Sequence, residues 1–369
     1  MYKGYYTKEE YKAVKASYHI FLKEHGFKPD AENSGYPVFS RGFAARLPEE
    51  YSKPAFLTQE VCRFLRKHRE RPFIVYLNFL EPHMPFFGPY DGMYGPGDVD
   101  LPENFDSPPG PDSPIRYRYM VEYYREHGFA DREGKHGKLE TEWEWRYLIS
   151  RYWGLVSLVD AHVGRILETL AELGLDERTV VVFTSDHGDM MGSHRLATKM
   201  VMYEEAVRVP LLIRVPWLGS PSQMIDHPVS QTDLVPTLLD ILGMPIPPHL
   251  EGESWYPYLR GDRPWPKEPV FIEWNGRDGD LWAGGPTYGF PKEELRRVAG
   301  ARIRTVIAPD GWKLNVSETG EHELYDLKGD PLETRNLYRR GENRGVVRRL
   351  YSYIREWQER TRDDVELEI

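Results

Sequence analysis

Three features are scarce in this 369-residue sequence: cysteine, long apolar runs and an excess of basic charge. The one cysteine, Cys62, excludes an intrachain disulfide and any metal site built from several thiolates. No apolar run is long enough to cross a bilayer, and the amino-terminal residues lack the apolar core of a signal peptide. As written, the sequence therefore predicts a cytoplasmic protein with no membrane partner. A periplasmic or secreted location stays open if Met1 is not the true start.

The balance of charge argues against nucleic acid as a partner. Lys and Arg number 48 against 58 Asp and Glu, which gives a net charge of −10. A nucleic-acid binder needs a basic face to neutralise phosphates, although a local basic pocket for a small anion remains compatible with this composition. The 40% hydrophobic and 29% charged content is typical of a globular protein with a sizeable core. Composition does not indicate an oligomeric state.

The order of apolar segments predicts an α/β fold. Strands are expected at PFIVYLNFL (residues 72–80), TVVVFTSDHG (179–188) and VPLLIRVP (209–216), because continuous apolar runs are typical of buried parallel strands. Helices are expected before and between them: one precedes the first strand with Thr58 as its N-cap, and a long amphipathic helix spans residues 141–173. The alternation predicts a doubly wound, mostly parallel sheet with helices on both faces over residues 1–260. Residues 261–369 are expected to form a smaller α+β subdomain with an antiparallel sheet.

Ionisable residues are concentrated just past the second of these strands. Asp186 and His187 follow it directly, and His194 and Lys199 come soon after. Asp and His supply ligands for divalent cations, and a lysine nearby can hold an anion that the metal also contacts. The alternatives are a strand-to-loop turn, with the histidine incidental, and a solvated lysine.

His83 stands at the end of a different predicted strand, in FLEPHMPF, between two prolines. A histidine there can donate to a leaving-group oxygen or bind an anion. A packing or capping role is the alternative. Because two strand ends carry such groups, we expect one shared site at the carboxyl edge of the sheet.

Three stretches carry a family resemblance. They resemble segments of the sulfatase family within the alkaline-phosphatase superfamily and follow one another in that family's order. Along the chain they are PFIVYLNFLEPHMPF, FTSDHGDMMGSHRLATKMVMYEEAVRVPLLIRVP and GWKLNVSETGEHELYDLKGDPLETRNL. The resemblance implies an alkaline-phosphatase-like fold and hydrolysis of a sulfate ester on a small molecule or carbohydrate. Two alternatives remain: a phosphonate monoester or phosphodiester hydrolase of the same superfamily, and a non-catalytic relative.

The resemblance also implies roles for individual residues. Asp186 and His187 match metal ligands, with Ca²⁺ expected in preference to Mg²⁺. Lys199 matches a lysine that contacts the sulfate, and His83 matches a histidine on the sulfate or the leaving-group oxygen. His194 lies within the motif and is expected to support substrate binding.

The family nucleophile, a formylglycine made from Cys or Ser in Cys/Ser-x-Pro-Ser-Arg, has no counterpart in this sequence. Cys62 is not followed by Pro-Ser-Arg, and the strand with paired acidic residues that precedes this motif in the family is also absent. A shortened or misassigned start is the favoured explanation. A non-catalytic relative and a second polypeptide that supplies the missing part are the others. The 369-residue chain is therefore expected to be of low stability and to have little activity by itself.

Overall fold

The computed structural model describes residues 15–33, 36–130, 136–219, 222–277 and 284–369. The chain divides into two compact units. The first consists of Met1–Leu101 and Tyr123–Val180, and the second of Pro102–Glu122 and Val181–Ile369. The domain boundary expected near residue 260 stays a prediction. Within the described ranges, no helix has the length and hydropathy to cross a membrane.

The first unit is mainly helical. Its helices are α1 (Ser17–Glu24), α2 (Arg41–Ala45), α3 (Lys53–His68) and α5 (Glu142–Glu172), and it contains the carboxyl end of α4 (Ile115–His127). Its strands form two short antiparallel pairs, β1 (Asp30–Asn33) with β2 (Tyr36–Phe39) and β3 (Phe129–Ala130) with β4 (His136–Gly137). Short 3-10 turns span Glu49–Tyr51 and Asp176–Arg178.

The long helix α5 occupies the span predicted for it, because its signals are local. Thr141 and Glu144 form a capping box, in which each side chain accepts a hydrogen bond from the other's backbone amide. At the other end Gly174, at φ +63°, adopts the left-handed conformation that stops the helix, and its N–H donates to the carbonyl of Ala171 over 3.0 Å.

Helix α3 begins earlier than expected and packs on α5. The predicted N-cap Thr58 is wrong, because Ser52 takes this role and its hydroxyl accepts from the amide of Ala55 at 3.3 Å. Pro54 then occupies the first turn, where its missing N–H costs no hydrogen bond. Cys62 is buried against α5 and accepts from the Thr169 hydroxyl at 3.3 Å, so the only thiol is part of a helix contact.

Residues 72–80, expected to be a buried strand, are extended but belong to no sheet of the described chain. Ile74 and Tyr76 are 81% and 90% exposed, while the alternate residues are more buried. The physical reason is that a strand needs a hydrogen-bonding neighbour, and the described residues place none beside this one. The strand prediction for this segment is therefore wrong in this chain.

The second unit contains the remaining elements and the amino-terminal part of α4. Its helices are α6 (Glu204–Val207), α7 (Leu234–Ile241), α8 (Tyr256–Leu259), α9 (Lys292–Gly300) and α10 (Arg344–Thr361). Its strands are β5 (Val181–Thr184), β6 (Leu211–Arg214), β7 (Val270–Trp274), β8 (Ile303–Ile307), β9 (Trp312–Ser317) and β10 (Glu323–Asp326). Its 3-10 turns are Ser193–Arg195, Pro216–Leu218, Gln231–Asp233 and Gly341–Asn343.

The carboxyl-terminal sheet confirms the expected antiparallel subdomain. Its strand order is β10-β9-β8-β7, and every neighbouring pair is antiparallel. Leu314 and Val316 on one face of β9 are fully buried in a cluster with Leu350 and Ile354 of α10. Successive residues of a strand point to opposite faces, so Lys313 and Asn315 face away from this cluster.

Strands β5 and β6, both predicted from their apolar runs, pair only with each other among the described residues. Their ladder is antiparallel, with Val182 opposite Ile213. Leu212 is 63% exposed, which shows that one face of this pair lacks a covering layer. All strand pairs among the described residues are thus antiparallel, whereas the sequence predicts a main sheet of mostly parallel strands.

Candidate functional site

Most of the predicted site residues lie in one loop of the second unit, residues 185–200, which we call the Asp186 loop. It leaves β5 at Thr184, and Ser185 tightens its first turn by donating to the carbonyl of His187 over 2.8 Å. Gln231, from the turn before α7, donates to the carbonyl of Ser185 over 2.5 Å. The loop start is therefore held from two sides.

The side chains of Asp186 and His187 face each other at the start of this loop. His187 Nε2 lies 3.5 Å from Asp186 Oδ2, and His187 Nδ1 lies 2.8 Å from the carbonyl oxygen of Gly188. Because a carbonyl can only accept, Nδ1 carries a proton, and in the neutral ring Nε2 offers a lone pair. Two acceptor atoms then point at one place, an arrangement stabilised by a proton or a metal ion between them.

These two donors suit one divalent cation but do not complete its coordination. Ca²⁺ takes six to eight oxygen ligands, whereas this pair supplies one carboxylate and one imidazole. The described ranges contain no group of three or more His, Cys, Asp or Glu residues able to hold a metal ion. Asp186 and His187 therefore fit part of a metal site, and no chemical step can be derived through a metal from them alone.

Asp189 organises the middle of the loop. Its Oδ1 accepts from the backbone amides of Met191 at 3.1 Å and Thr198 at 2.8 Å, so it bridges the two ends of the turn that precedes Lys199. Burial raises the pKa of Asp189, while the hydrogen bonds from the amides of Met191 and Thr198 and the positive charge of Lys199 act in the opposite direction. Lys199, which is half-buried, is thus near enough to interact with this carboxylate.

His194 is a buried member of the loop. Its ring stacks on Tyr203 with centroids 4.2 Å apart, and Nδ1 lies 2.7 Å from the carbonyl oxygen of Ser107. The side chain is 1% exposed, which favours a supporting role over direct contact with a ligand. Its part in substrate binding stays a prediction.

The loop backbone is strained where it approaches Lys199. Positive φ angles occur at Met191, Gly192, His194, Arg195, Thr198 and Met200. A β-branched residue such as Thr198, at φ +62°, is a rare occupant of this region, and such strain persists only where surrounding contacts enforce it. The Asp189 hydrogen bonds are among these contacts.

His83 lies in the first unit, where Arg41 contacts it. Arg41 Nη2 is 3.2 Å from His83 Nδ1 and also donates to the carbonyl of Met84. His83 Nδ1 also lies 3.0 Å from the carbonyl oxygen of Met84, so a donor and an acceptor both face this nitrogen. Glu81, two residues earlier, is largely buried, and burial raises its carboxyl pKa. Sequence reasoning missed Arg41, which carries no motif signal.

The structure thus brings Asp186, His187, Asp189 and Lys199 together in one loop and gives His83 a separate basic neighbour. A shared site for His83 and Lys199 stays a prediction, as do the individual roles assigned to them.

Comparison with known families decides the class of the protein. A family model described as Sulfatase matches residues 3–244, more than half of the chain. The chain belongs to the sulfatase family. The motif segments that carry Asp186, His187, Lys199 and His83 all lie within the matched range.

Relatives of this sulfatase-family chain include a sulfatase and a multifunctional protein of the alkaline phosphatase superfamily. It is 29% identical over 300 residues to a multifunctional alkaline phosphatase superfamily protein of Trinickia caryophylli, covering 79% of the chain and 57% of the relative. It is 27% identical over 317 residues to a Δ4,5-hexuronate-2-O-sulfatase of Bacteroides thetaiotaomicron, covering 83% and 61%. The chain thus spans about three fifths of the length of these relatives.

Solved structures agree with the family assignment. Phosphonate monoester hydrolase from Silicibacter pomeroyi superposes with a TM-score of 0.71 at 25% identity, over 93% of this chain and 68% of that one. The expected alkaline-phosphatase-like fold, with mixed helix and sheet and an antiparallel carboxyl-terminal sheet, is therefore confirmed for this sulfatase-family chain.

Proposed function

We propose that the protein is a sulfatase-type hydrolase, an enzyme that cleaves sulfate esters. Its proposed substrate is a sulfated carbohydrate or small molecule. The observation that carries this proposal is the Asp186 loop, where His187 Nε2 and Asp186 Oδ2 face each other at 3.5 Å with Lys199 nearby. A cation bound there and the lysine together would favour a small oxyanion. The hexuronate sulfatase relative supports a carbohydrate ester as substrate.

In this proposal Lys199 and His83 have separate roles in ester cleavage. When an oxygen nucleophile forms a bond to sulfur, the bond between sulfur and the ester oxygen breaks, and negative charge develops on the departing oxygen. The ammonium of Lys199 offsets charge on the sulfuryl oxygens, since it is a compact cation with three donors. His83 donates a proton to the leaving oxygen as a general acid. Arg41 and the carbonyl of Met84 both contact Nδ1 and so orient the ring of His83.

The metal contributes Lewis-acid stabilisation when bound, and Asp186 and His187 are the residues that would hold it, with Ca²⁺ proposed ahead of Mg²⁺. A formylglycine nucleophile is proposed for the complete enzyme, but its Cys/Ser-x-Pro-Ser-Arg motif does not occur in these 369 residues. Cys62 cannot substitute, because it is buried between α3 and α5. We therefore propose that this chain alone turns over sulfate esters weakly or not at all.

The first experiment measures binding, because binding does not require the nucleophile. Inorganic sulfate is titrated calorimetrically into the 369-residue chain, into Lys199→Met and into Lys267→Met, a matched control at an exposed lysine. Loss of one charged contact is expected to weaken binding about tenfold in Lys199→Met and to leave the control unchanged. Equal affinities in all three proteins would contradict the role of Lys199.

The second experiment measures turnover. An aryl sulfate and an aryl phosphonate monoester are assayed side by side with the 369-residue chain and with a version extended upstream in the same reading frame. His83→Gln is compared with His25→Gln, which alters an exposed histidine of the same unit. Full sulfatase turnover by the 369-residue chain would refute the proposal that it is impaired.

A second function, phosphonate monoester hydrolysis, is favoured by one observation, the superposition on the Silicibacter pomeroyi enzyme over 93% of the chain. The same cation and Lys199 suit a tetrahedral phosphonate anion. Preferential turnover of the phosphonate monoester in the paired assay would select this function over sulfate ester hydrolysis. Absence of turnover of either substrate by the extended version would indicate a non-catalytic relative.

A further inference from the structure

A buried cluster of charges lies in the second unit, apart from the loop already described. It consists of Lys313 on β9, Glu204 at the start of α6 and Glu333 after β10, which we call the Lys313 cluster. Lys313 is fully buried, and its Nζ lies 3.0 Å from Glu204 Oε1 and 2.9 Å from Glu333 Oε1. Glu333 Oε2 also accepts from the backbone amide of Glu204 at 2.6 Å.

The alternation of β9 explains why a lysine is buried here. Leu314 and Val316 take the apolar face toward α10, which leaves Lys313 and Asn315 on the other face. Asn315 donates to Glu323 over 3.0 Å, so this face is polar along its length. A buried charge without a partner is strongly destabilising, and so is the loss of one member of a buried ion pair. The folded state therefore requires Lys313 to stay paired with its carboxylates.

Helix α6 links the cluster to the Asp186 loop. The amide of Gly188 donates to the carbonyl of Ala206 over 2.9 Å. A side chain at Gly188 would collide with the carbonyl oxygen of Glu205, so the two backbones touch. The path from Lys313 to His187 therefore passes through one side-chain ion pair, one short helix and one backbone contact.

The two carboxylates of the cluster face one lysine. Burial raises the pKa of Glu333 to about 7, against the opposing effect of Lys313. The pKa of Lys313 is raised by both carboxylates in spite of its burial, so the lysine keeps its charge. The cationic partner that holds Glu204 is thus maintained across the neutral range.

We propose that Lys313 is a positioning residue: through Glu204 it fixes α6 beneath Gly188 and thereby holds the Asp186 loop in its anion-binding form. The anion-binding part of this inference rests on the proposed function, whereas the positioning part does not. A purely structural role would instead confine the effect of Lys313 to the carboxyl-terminal sheet.

The test follows amide hydrogen exchange of the full 369-residue chain by mass spectrometry. Glu204→Ala removes the side-chain link from Lys313 to α6. It keeps the ion pair of Lys313 with Glu333 and the hydrogen bond from the backbone amide of residue 204 to Glu333, so the variant avoids an unpaired buried charge. Glu204→Gln keeps an acceptor oxygen at the same position and is the conservative rescue. Lys313→Met removes the cation, and Glu318→Ala removes an ion pair of 2.6 Å with Arg302 as the matched control.

Positioning predicts at least about tenfold faster exchange over residues 186–200 in Glu204→Ala and Lys313→Met, with Glu204→Gln and Glu318→Ala near the wild type. Exchange over 186–200 that stays at the wild-type rate in Glu204→Ala would overturn the proposal. Acceleration confined to β8–β10 in Lys313→Met would also overturn it, because that result is the signature of a sheet-stabilising residue.

Calorimetric titration with inorganic sulfate separates this proposal from the proposed function. If both hold, Glu204→Ala binds sulfate about tenfold more weakly than wild type, within the range of coupling energies measured for residues outside a ligand site. If the wild-type chain binds no sulfate, the proposed function fails. The exchange rates then still decide whether Lys313 positions the loop.

Discussion

Calcium affinity is the most direct test of the Asp186–His187 pair. The described residues supply one carboxylate oxygen and one imidazole nitrogen 3.5 Å apart, and we expect water to fill the other positions around the ion. Sites with so few charged ligands bind Ca²⁺ in the range of about 10⁻³ M, which corresponds to about −4.1 kcal/mol. We therefore expect a dissociation constant of about 1 mM for the 369-residue chain, measured by isothermal titration calorimetry.

The chain contains its own matched control. Asp226 and His227 form a second adjacent pair, with Oδ1 and Nδ1 4.0 Å apart and the aspartate 98% exposed. Asp186→Asn is expected to weaken calcium binding about tenfold or more, because it removes the one carboxylate that the described residues supply to the site. Asp226→Asn, with the same change in net charge, is expected to leave the affinity unaltered.

Thermodynamic linkage provides an independent readout of the same site. Calcium at about 10 mM, tenfold above the expected dissociation constant, stabilises the folded chain by about 1.4 kcal/mol. Asp186→Asn should abolish most of this stabilisation in thermal unfolding. A micromolar dissociation constant for the wild type would refute the conclusion that the described residues supply only part of a site. Equal losses in both Asn variants would show that the binding is nonspecific.

Three further predictions concern stability and are measured by urea denaturation. Thr141→Ala removes the capping box of α5 and is expected to cost about 1 kcal/mol; an unchanged midpoint would contradict the capping argument. Leu350→Ala in the fully buried core beneath the sheet is expected to cost about 2–5 kcal/mol, and a cost below about 1 kcal/mol would indicate a collapsed or solvated core. Glu333, with a folded pKa of about 7 against about 4.3 unfolded, contributes stability that is complete below about pH 4 and lost as the pH rises toward 7. Glu333→Gln should remove this loss, and an identical pH slope in both proteins would count against the raised pKa.

The elements that could be predicted from the sequence are those with local causes. Helix α5 begins at the Thr141 capping box and stops at Gly174, and both signals are visible in the sequence. The Asp186 loop was likewise located by its position after an apolar strand. The proton on His187 Nδ1 was not predictable, because it depends on the Gly188 carbonyl that the folded turn brings within 2.8 Å.

The elements that escaped prediction depend on distant partners. Residues 72–80 have the composition of a buried strand, but composition cannot supply the neighbour that would pair with them. Lys313 would be expected at the surface from its side chain alone. It is buried because Glu204, 109 residues earlier, and Glu333 surround it, and no spacing rule connects residues so far apart.

The exposed segment at residues 73–80 has a consequence for handling the protein. FIVYLNFL contains no charge, glycine or proline, and its β-branched and aromatic residues are those that form dry, interdigitated interfaces between stacked sheets in amyloid. Pro72 and Glu81 are the nearest residues that interrupt such stacking, and they flank the segment rather than divide it. Concentrated solutions of this chain are therefore expected to form thioflavin-positive fibrils. A gatekeeper charge at the 81%-exposed Ile74, as in Ile74→Lys, is expected to delay them.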